Sequence, residues 1–434
     1  MKQRRLISIL EKTYITILLV IFGGIVLHAP LSVGLGTLWP NYDLLIKSWK
    51  EILMLIAGVI AILLLYKTKQ MRLLRDPIIV AIGIYAVLHL ILLPYNNGGL
   101  ASSAAGLMID LRYLFFFALV YIAMRLYPGY RKMFIKVGVA GALIVLIFAI
   151  LQVFILPYDV LKYIGYNKNT IIPYLVVDKN YAFIRINSTL RGPNPLGAYA
   201  CMVLVLIVAA VSNHKIKKEK WPLAVTAILS AGGVVALWAS YSRSAMVGMI
   251  AAVVIVIVAT NIRRLSPRVW GVIGVVILIL LSGLFMASNT KFVSNVLLHD
   301  NPDSTSISNS NEDHISSLKD GMNQLIRQPL GAGIGSTGSA SILSGKTEII
   351  ENQYLFVAHE VGWLGLLLFV SIFAAILLKL WDLRKDWLAL GVFASGVGLA
   401  LIGLLLPVWV DDTVAIIWWG LAAIALSPVI ERHK

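Results

Sequence analysis

Cysteine is almost absent from this 434-residue chain. The single Cys201, set in an apolar run, excludes an intrachain disulfide framework and argues against a thiolate metal site. Charge is scarce as well: 13% of residues are charged, against roughly 25% in soluble globular proteins, while 59% are hydrophobic. That balance excludes a cytoplasmic enzyme, a disordered tail and a disulfide-built secreted module. No phosphate-loop signature, His-Glu-x-x-His or Asp-x-Asp pair occurs. The glycines Gly331, Gly333 and Gly335 lack a following Gly-Lys-Ser/Thr and read as a tight turn. Seven scattered histidines make no metal cluster, and no heptads or internal repeats are present. The start Met1–Arg5 lacks a short apolar region with a small-residue cleavage site, so no cleaved signal peptide is expected.

What is present is apolar sequence in lengths that cross a bilayer, where a helix needs about 20 residues. Spans are expected near 14–34, 50–66, 77–94, 107–126, 133–157, 195–212, 221–238, 241–260, 269–288, 354–378, 387–406 and 412–430. The expected fold is an all-α polytopic membrane protein of about twelve helices, one integral membrane domain over 1–434. The 37 Lys and Arg exceed the 21 Asp and Glu by 16, an excess that positive-inside bias produces without any nucleic-acid partner. Of those 37, 24 fall at the termini and in alternate short connections: Lys67–Arg75, Arg125–Lys136, Lys215–Lys220, Arg263–Arg268 and Lys379–Lys385. Both termini are therefore expected in the cytoplasm. Two long connections, 158–194 and 289–353, are then extracytoplasmic. The first carries prolines and tyrosines. The second holds the Asp/Ser/Asn-rich stretch Asp300–Asp313 and an amphipathic segment, Leu318–Arg327, suited to short surface helices.

Charged residues recur at the outer ends of the expected spans. Arg191 precedes the sixth, Arg243 opens the eighth, Arg327 lies beside Gln328-Pro329, and Glu351 precedes the tenth. Guanidinium groups are permanent planar donors suited to phosphate oxygens, and a carboxylate can take a proton from a hydroxyl. Pro193 and Pro195 fix the backbone beside Arg191, and the sixth helix's N-terminus adds positive potential. Each arginine competes with the plainer reading of a lipid-headgroup anchor. Asp110, Arg112, Asp411 and Asp412 read first as interfacial ion pairs, and His28 and His89 as packed, hydrogen-bonded side chains. Glu360 is expected two turns inside the tenth span, paired or protonated. Glu348 and Glu351 have the spacing to share one helical face.

At these residues the chain resembles the O-antigen ligase and O-antigen polymerase superfamily, membrane glycosyltransferases of the GT-C type. The resemblance covers roughly 185–375. Its segments are Arg191-Gly-Pro-Asn194-Pro-Leu-Gly-Ala-Tyr199, Ser240-Tyr-Ser-Arg243-Ser-Ala, Pro329-Leu-Gly-Ala-Gly-Ile-Gly335, and Glu351-Asn-Gln-Tyr354 through Glu360 to Gly365. It implies transfer of a glycan from an undecaprenyl-pyrophosphate carrier to an acceptor sugar hydroxyl, with inversion and without a metal or other cofactor. The reaction would run at the outer face of a bacterial cytoplasmic membrane, on the periplasmic or exterior side. Two arginines hold the leaving pyrophosphate, which by motif become Arg191 and Arg243, with Glu351 as the activating group. Asn194, Arg327, Asn352, Tyr354 and Arg185 are the implied substrate-binding residues. Ligases carry a histidine where this chain has Glu351, so base identity stays open, with His314 and His359 as alternatives, and a polymerase is favoured. The acceptor is then a lipid-linked repeat unit, or lipid A–core in a ligase; membrane lipids and a chain-length regulator are the further candidate partners. The competing class is a polysaccharide or lipid transporter or flippase, for which charged groups near the midplane and inverted repeats would be the signature.

Overall fold

A computed structural model describes residues 2–95, 98–177, 180–213, 223–261, 321–323, 326–345 and 348–427. The first apolar run, Gln3–Leu38, is helical throughout, but a 3₁₀ turn at Ile25–Leu27 divides it into α1 (Lys2–Gly24) and α2 (His28–Leu38). A short α3 (Asp43–Lys47) leads into α4 (Trp49–Lys67). There follow α5 (Pro77–Leu92), α6 (Leu100–Leu126), α7 (Arg131–Phe154), α8 (Pro193–Ser212), α9 (Leu223–Ala239) and α10 (Arg243–Asn261). A one-turn α11 (Gly338–Ser341) precedes α12 (Gln353–Asp382), α13 (Trp387–Gly403) and α14 (Asp412–Ala425). Among the described residues eight helical stretches are long and apolar enough to cross a membrane, and α9, α13 and α14 are shorter apolar helices. Eleven of the expected spans thus coincide with apolar helices; the ninth, 269–288, and the stretch Asp300–Asp313 lie outside the described residues. Of Leu318–Arg327, residues 321–323 and 326–327 are described and helical.

Three differences from the sequence expectation bear on the site. Helix α6 starts seven residues earlier than the apolar run suggests, because Ser102, Ser103 and Gly106 pack inward. Asp110 and Arg112 consequently sit three turns inside the helix instead of at its start. The connection 158–194 carries a small antiparallel hairpin, β1 (Tyr174–Val177) with β2 (Asn180–Ile186), in a chain otherwise read as all-α. Its β-branched and aromatic residues suit a pleated ladder, pairing Tyr174 with Ile186 and Val176 with Ile184. Third, α12 is broken at Gly362, whose φ of +67° is left-handed.

The ends of the bundle differ in chemistry. At one end, Arg131 pairs with Asp386 at 2.8 Å, and Arg125 donates to the Tyr121 hydroxyl, which donates to Asp76. Asp76 also caps α5 through the Ile78 N–H. The opposite end gathers α2, the hairpin, the starts of α6, α8, α10, α12 and α14, and the turn 328–337. Between them, Tyr113, Phe373, Trp409, Trp418 and Trp419 interlock with ring centroids 5.2–6.5 Å apart, anchoring α14 to α6 and α12.

Candidate active site

The 3₁₀ turn that ends α1 presents His28 from the first turn of α2, opposite the start of α4. The Trp49 indole donates to His28 Nδ1 at 3.1 Å, so the other ring nitrogen carries the proton and faces Asp412 Oδ2 at 2.8 Å. Lys50, only 3% exposed, reaches Asp412 Oδ2 at 3.2 Å and Glu51 Oε1 at 3.1 Å. Arg112 bonds both Asp412 Oδ1 and the Val410 carbonyl. Charges this far from water persist only when paired. Pairing accounts for Arg112 and Asp412 as the sequence suggested, and adds Lys50 and Glu51, which it did not single out. Their one sequence signal was an adjacent Lys-Glu at the mouth of the second span.

This network forms one wall of a chamber of about 590 Å³, whose rim carries Arg191, Ser339 and Asp411. A second, more apolar cleft of about 350 Å³ lies between the start of α8 and the end of α13. Arg191, Ser339, Val410 and Asp411 line both. Arg191 is exposed, and among the described residues no hydrogen bond or ion pair ties down its guanidinium. Its field is nonetheless felt: burial raises Asp411 above the ordinary carboxylate range, Asp412 adds to that, and Arg191 and Arg112 oppose it. Burial likewise raises the Tyr166 phenol, again against Arg191. Asp411 Oδ1 caps α14 by accepting the Val414 N–H at 2.9 Å.

Arg185, on β2, is a latch. Its Nε donates to the Ser240 carbonyl at 2.8 Å and a terminal nitrogen donates to Asn194 Oδ1 at 2.5 Å. One side chain therefore ties the Arg191–Asn194 segment to the Ser240–Arg243 turn. In that turn Tyr241 adopts φ +46°, a strained value for a bulky residue, which redirects the chain from α9 into α10 with Arg243 at its first position.

The start of α12 is held by its own polar residues. Asn352 Oδ1 accepts from the Tyr354 and Leu355 N–H groups, and its amide donates to the Leu404 carbonyl at 2.8 Å. The Tyr354 hydroxyl donates to the Ala400 carbonyl at 3.0 Å. Both residues fasten α12 to the end of α13. Glu351 is exposed, one residue before this cap. Helix therefore begins only at Gln353, so Glu348 and Glu351 do not share a helical face as their spacing suggested. The Glu348 carbonyl is instead taken by Thr337 Oγ1 and the Gly338 N–H. Arg327 is exposed, immediately before the Gln328–Leu330 turn. The walls of the two cavities include Arg191 and Asn194 but not Arg243, Arg327 or Glu351.

The glycine-rich segment is a turn, and its amides are occupied by an acidic side chain of the same chain, Glu360. Glu360 accepts the Gly335 and Thr337 N–H groups. The Gly335 carbonyl accepts from Ser102 Oγ at 2.6 Å, fastening the turn to α6. A Cβ on Gly335, at φ +83°, would lie 2.1 Å from the Ser102 carbonyl oxygen. On its other side the turn fills the break in α12, with Ala332 N–H donating to the His359 carbonyl and Trp363 N–H to the Pro329 carbonyl. His359 faces Glu348 at 3.6 Å. Among the described residues no group of three or more His, Cys, Asp or Glu is arranged to hold a metal ion.

Residues 225–370 match a family model described as O-antigen ligase. The match supports the O-antigen ligase and polymerase superfamily to which the sequence motifs point. It includes Arg243, Arg327, Glu351 and the Gly331–Gly335 turn, and begins after Arg185, Arg191 and Asn194. A search of curated proteins returns no match.

Proposed function

With an O-antigen ligase segment spanning 225–370 as premise, we propose that this membrane protein transfers a glycan from a polyprenyl-pyrophosphate carrier to an acceptor sugar hydroxyl. Arg191 and Arg243 hold the pyrophosphate as it leaves. A carboxylate takes the proton of the attacking hydroxyl, the hydroxyl oxygen bonds the anomeric carbon as the bond to the diphosphate oxygen breaks, and the configuration inverts. The observation that carries this reading is Arg191, a cation that no bond holds among the described residues, lining both a charged chamber and an apolar cleft. A guanidinium with donors to spare there can bond the oxygens of the leaving group as negative charge develops on them. The loop bearing Arg243 joins the same assembly through Arg185.

Glu351 takes the base role by its place in the family motif. Asp411 competes for it by position, being on the chamber rim with a proton affinity raised by burial. Glu351→Gln and Asp411→Asn separate them: the variant that loses turnover while still binding donor carries the base. We further propose that the protein acts in the cytoplasmic membrane, with its chamber facing outward and both termini inside, as the distribution of basic residues supports. The experiment for the whole reading is reconstitution with a lipid-linked repeat unit, with and without lipid A–core. A product ladder without core identifies a polymerase and a single core-dependent shift identifies a ligase. Flux of intact substrate across sealed vesicles, with no new glycosidic bond, would replace the transferase by a transporter.

A further inference from the structure

A third cavity, of about 660 Å³, runs between α4, α5 and α6 and is almost wholly hydrocarbon-lined. Its upper end shares Glu51, Met108 and Arg112 with the charged chamber. Its lower end reaches Leu74 and Ile122. From Leu107 to Ile122 along α6 is fifteen residues, about 22 Å at 1.5 Å per residue, most of a ~30 Å hydrocarbon core. Small residues, Gly58, Ala61, Gly83, Ala86 and Ala118, make the face concave where larger side chains would present the ordinary lipid-facing surface of a span. At Gly83 an added Cβ would meet nothing within 4 Å. The furrow is therefore open space, apolar along its length and ending at a cation-bearing chamber.

We propose that this α4–α5–α6 groove seats the isoprenoid tail of a polyprenyl diphosphate whose headgroup lies in the chamber. The inference rests on the proposed function for the identity of the headgroup. It adds the tail site, on helices outside the 225–370 family segment. The matching chemistry is one long, methyl-branched hydrocarbon chain joined to one anionic head. Burying it in the groove removes the tail from the bilayer at little cost, while the chamber fixes the diphosphate at the membrane–water boundary. A two-chain phospholipid is the competing occupant.

The test uses the full chain in nanodiscs and a diazirine-bearing undecaprenyl diphosphate as the photoprobe, with undecaprenyl diphosphate (C55) and geranyl diphosphate (C10) as competitors. Crosslinks are expected on α4–α6. Gly83→Trp fills the groove, and should weaken C55 competition at least tenfold while leaving C10 competition unchanged. Gly83→Leu should act in the same direction with a smaller effect, and retained thermal midpoints for both exclude misfolding. Val234→Trp on exposed α9 is the control and should compete like the wild type. Crosslinks mapping away from α4–α6, unaltered C55 competition in Gly83→Trp, or equal competition by phosphatidylglycerol would overturn the groove. Groove crosslinks and a Gly83→Trp effect in a protein that transfers no glycan would instead sink the transferase reading and leave the groove standing.

Discussion

Replacing Arg191 by alanine isolates a functional charge from a structural one. The guanidinium is exposed and no hydrogen bond or ion pair among the described residues depends on it, so stability should stay within about 0.5 kcal/mol of the wild type. Removing one donor from a developing oxyanion typically costs about 10²–10³ in rate, or about 2.7–4 kcal/mol. A loss of that size in glycan transfer by Arg191→Ala is expected, with an unchanged thermal midpoint in detergent. Arg191→Lys keeps the charge but not the planar fork, and should recover only part of the loss. The assay is single-turnover transfer from a purified lipid-linked donor, read as product bands on a gel, beside a thermal melt of the same preparation. Transfer at the wild-type rate in Arg191→Ala would refute the diphosphate-holding role. So would a loss of rate matched by an equal loss of stability, since the side chain would then be structural.

Four further outcomes follow from the same contacts. Arg112→Met leaves Asp412 buried with Lys50 and His28 only, and should cost about 3–5 kcal/mol of stability, towards the lower end because two partners remain; a denaturation series in detergent measures it, and the double variant with Asp412→Leu should recover much of the loss. Asp411 keeps its proton to higher pH in the folded chain than when unfolded, so its stability contribution is full below the unfolded value of ~3.9 and is lost as pH rises through the raised folded value. Asp411→Asn retains the Val414 cap, and its thermal midpoint should therefore gain on the wild type from acid to neutral pH. Gly335→Ala forces a Cβ onto the Ser102 carbonyl at positive φ and should lower both the midpoint and transfer, whereas Gly129→Ala, with nothing within 4 Å, should change neither measurably. Arg185→Ala cuts the latch between Asn194 and Ser240 and should raise the donor KM more than it lowers the melting temperature, as steady-state kinetics over a donor series would show.

The candidate site was legible in the sequence where its residues fall in one short segment. Arg191 beside two prolines and Arg243 after Ser240-Tyr-Ser carry family-like motifs; Arg243 opens α10 and Arg191 stands two residues before α8. Lys50 and Glu51 were not legible as part of a network, because their partners His28, Arg112 and Asp412 come from three other helices. Nor was the role of Arg185, Asn194, Asn352 and Tyr354 visible. A polar residue in a motif looks the same whether it bonds a ligand or a neighbouring carbonyl, and here each of the four bonds a partner within the chain. Glu360 shows the converse: an acidic side chain placed inside a span by hydropathy is held by the amides of a glycine turn 25 residues upstream.

Composition and periodicity by themselves determined that the chain is built of apolar helices, most of them long enough to cross a bilayer, and where the short connections between them fall. Those properties follow from the transfer of each segment into hydrocarbon, and each segment carries that preference alone. Tertiary structure decided the break of α12 at Gly362, the early start of α6, the paired charges around Asp412 and the convergence of chamber, cleft and groove on Arg191 and Arg112. Each of these depends on groups from distant segments meeting at hydrogen-bond or van der Waals distance, a relation that no local window of sequence contains.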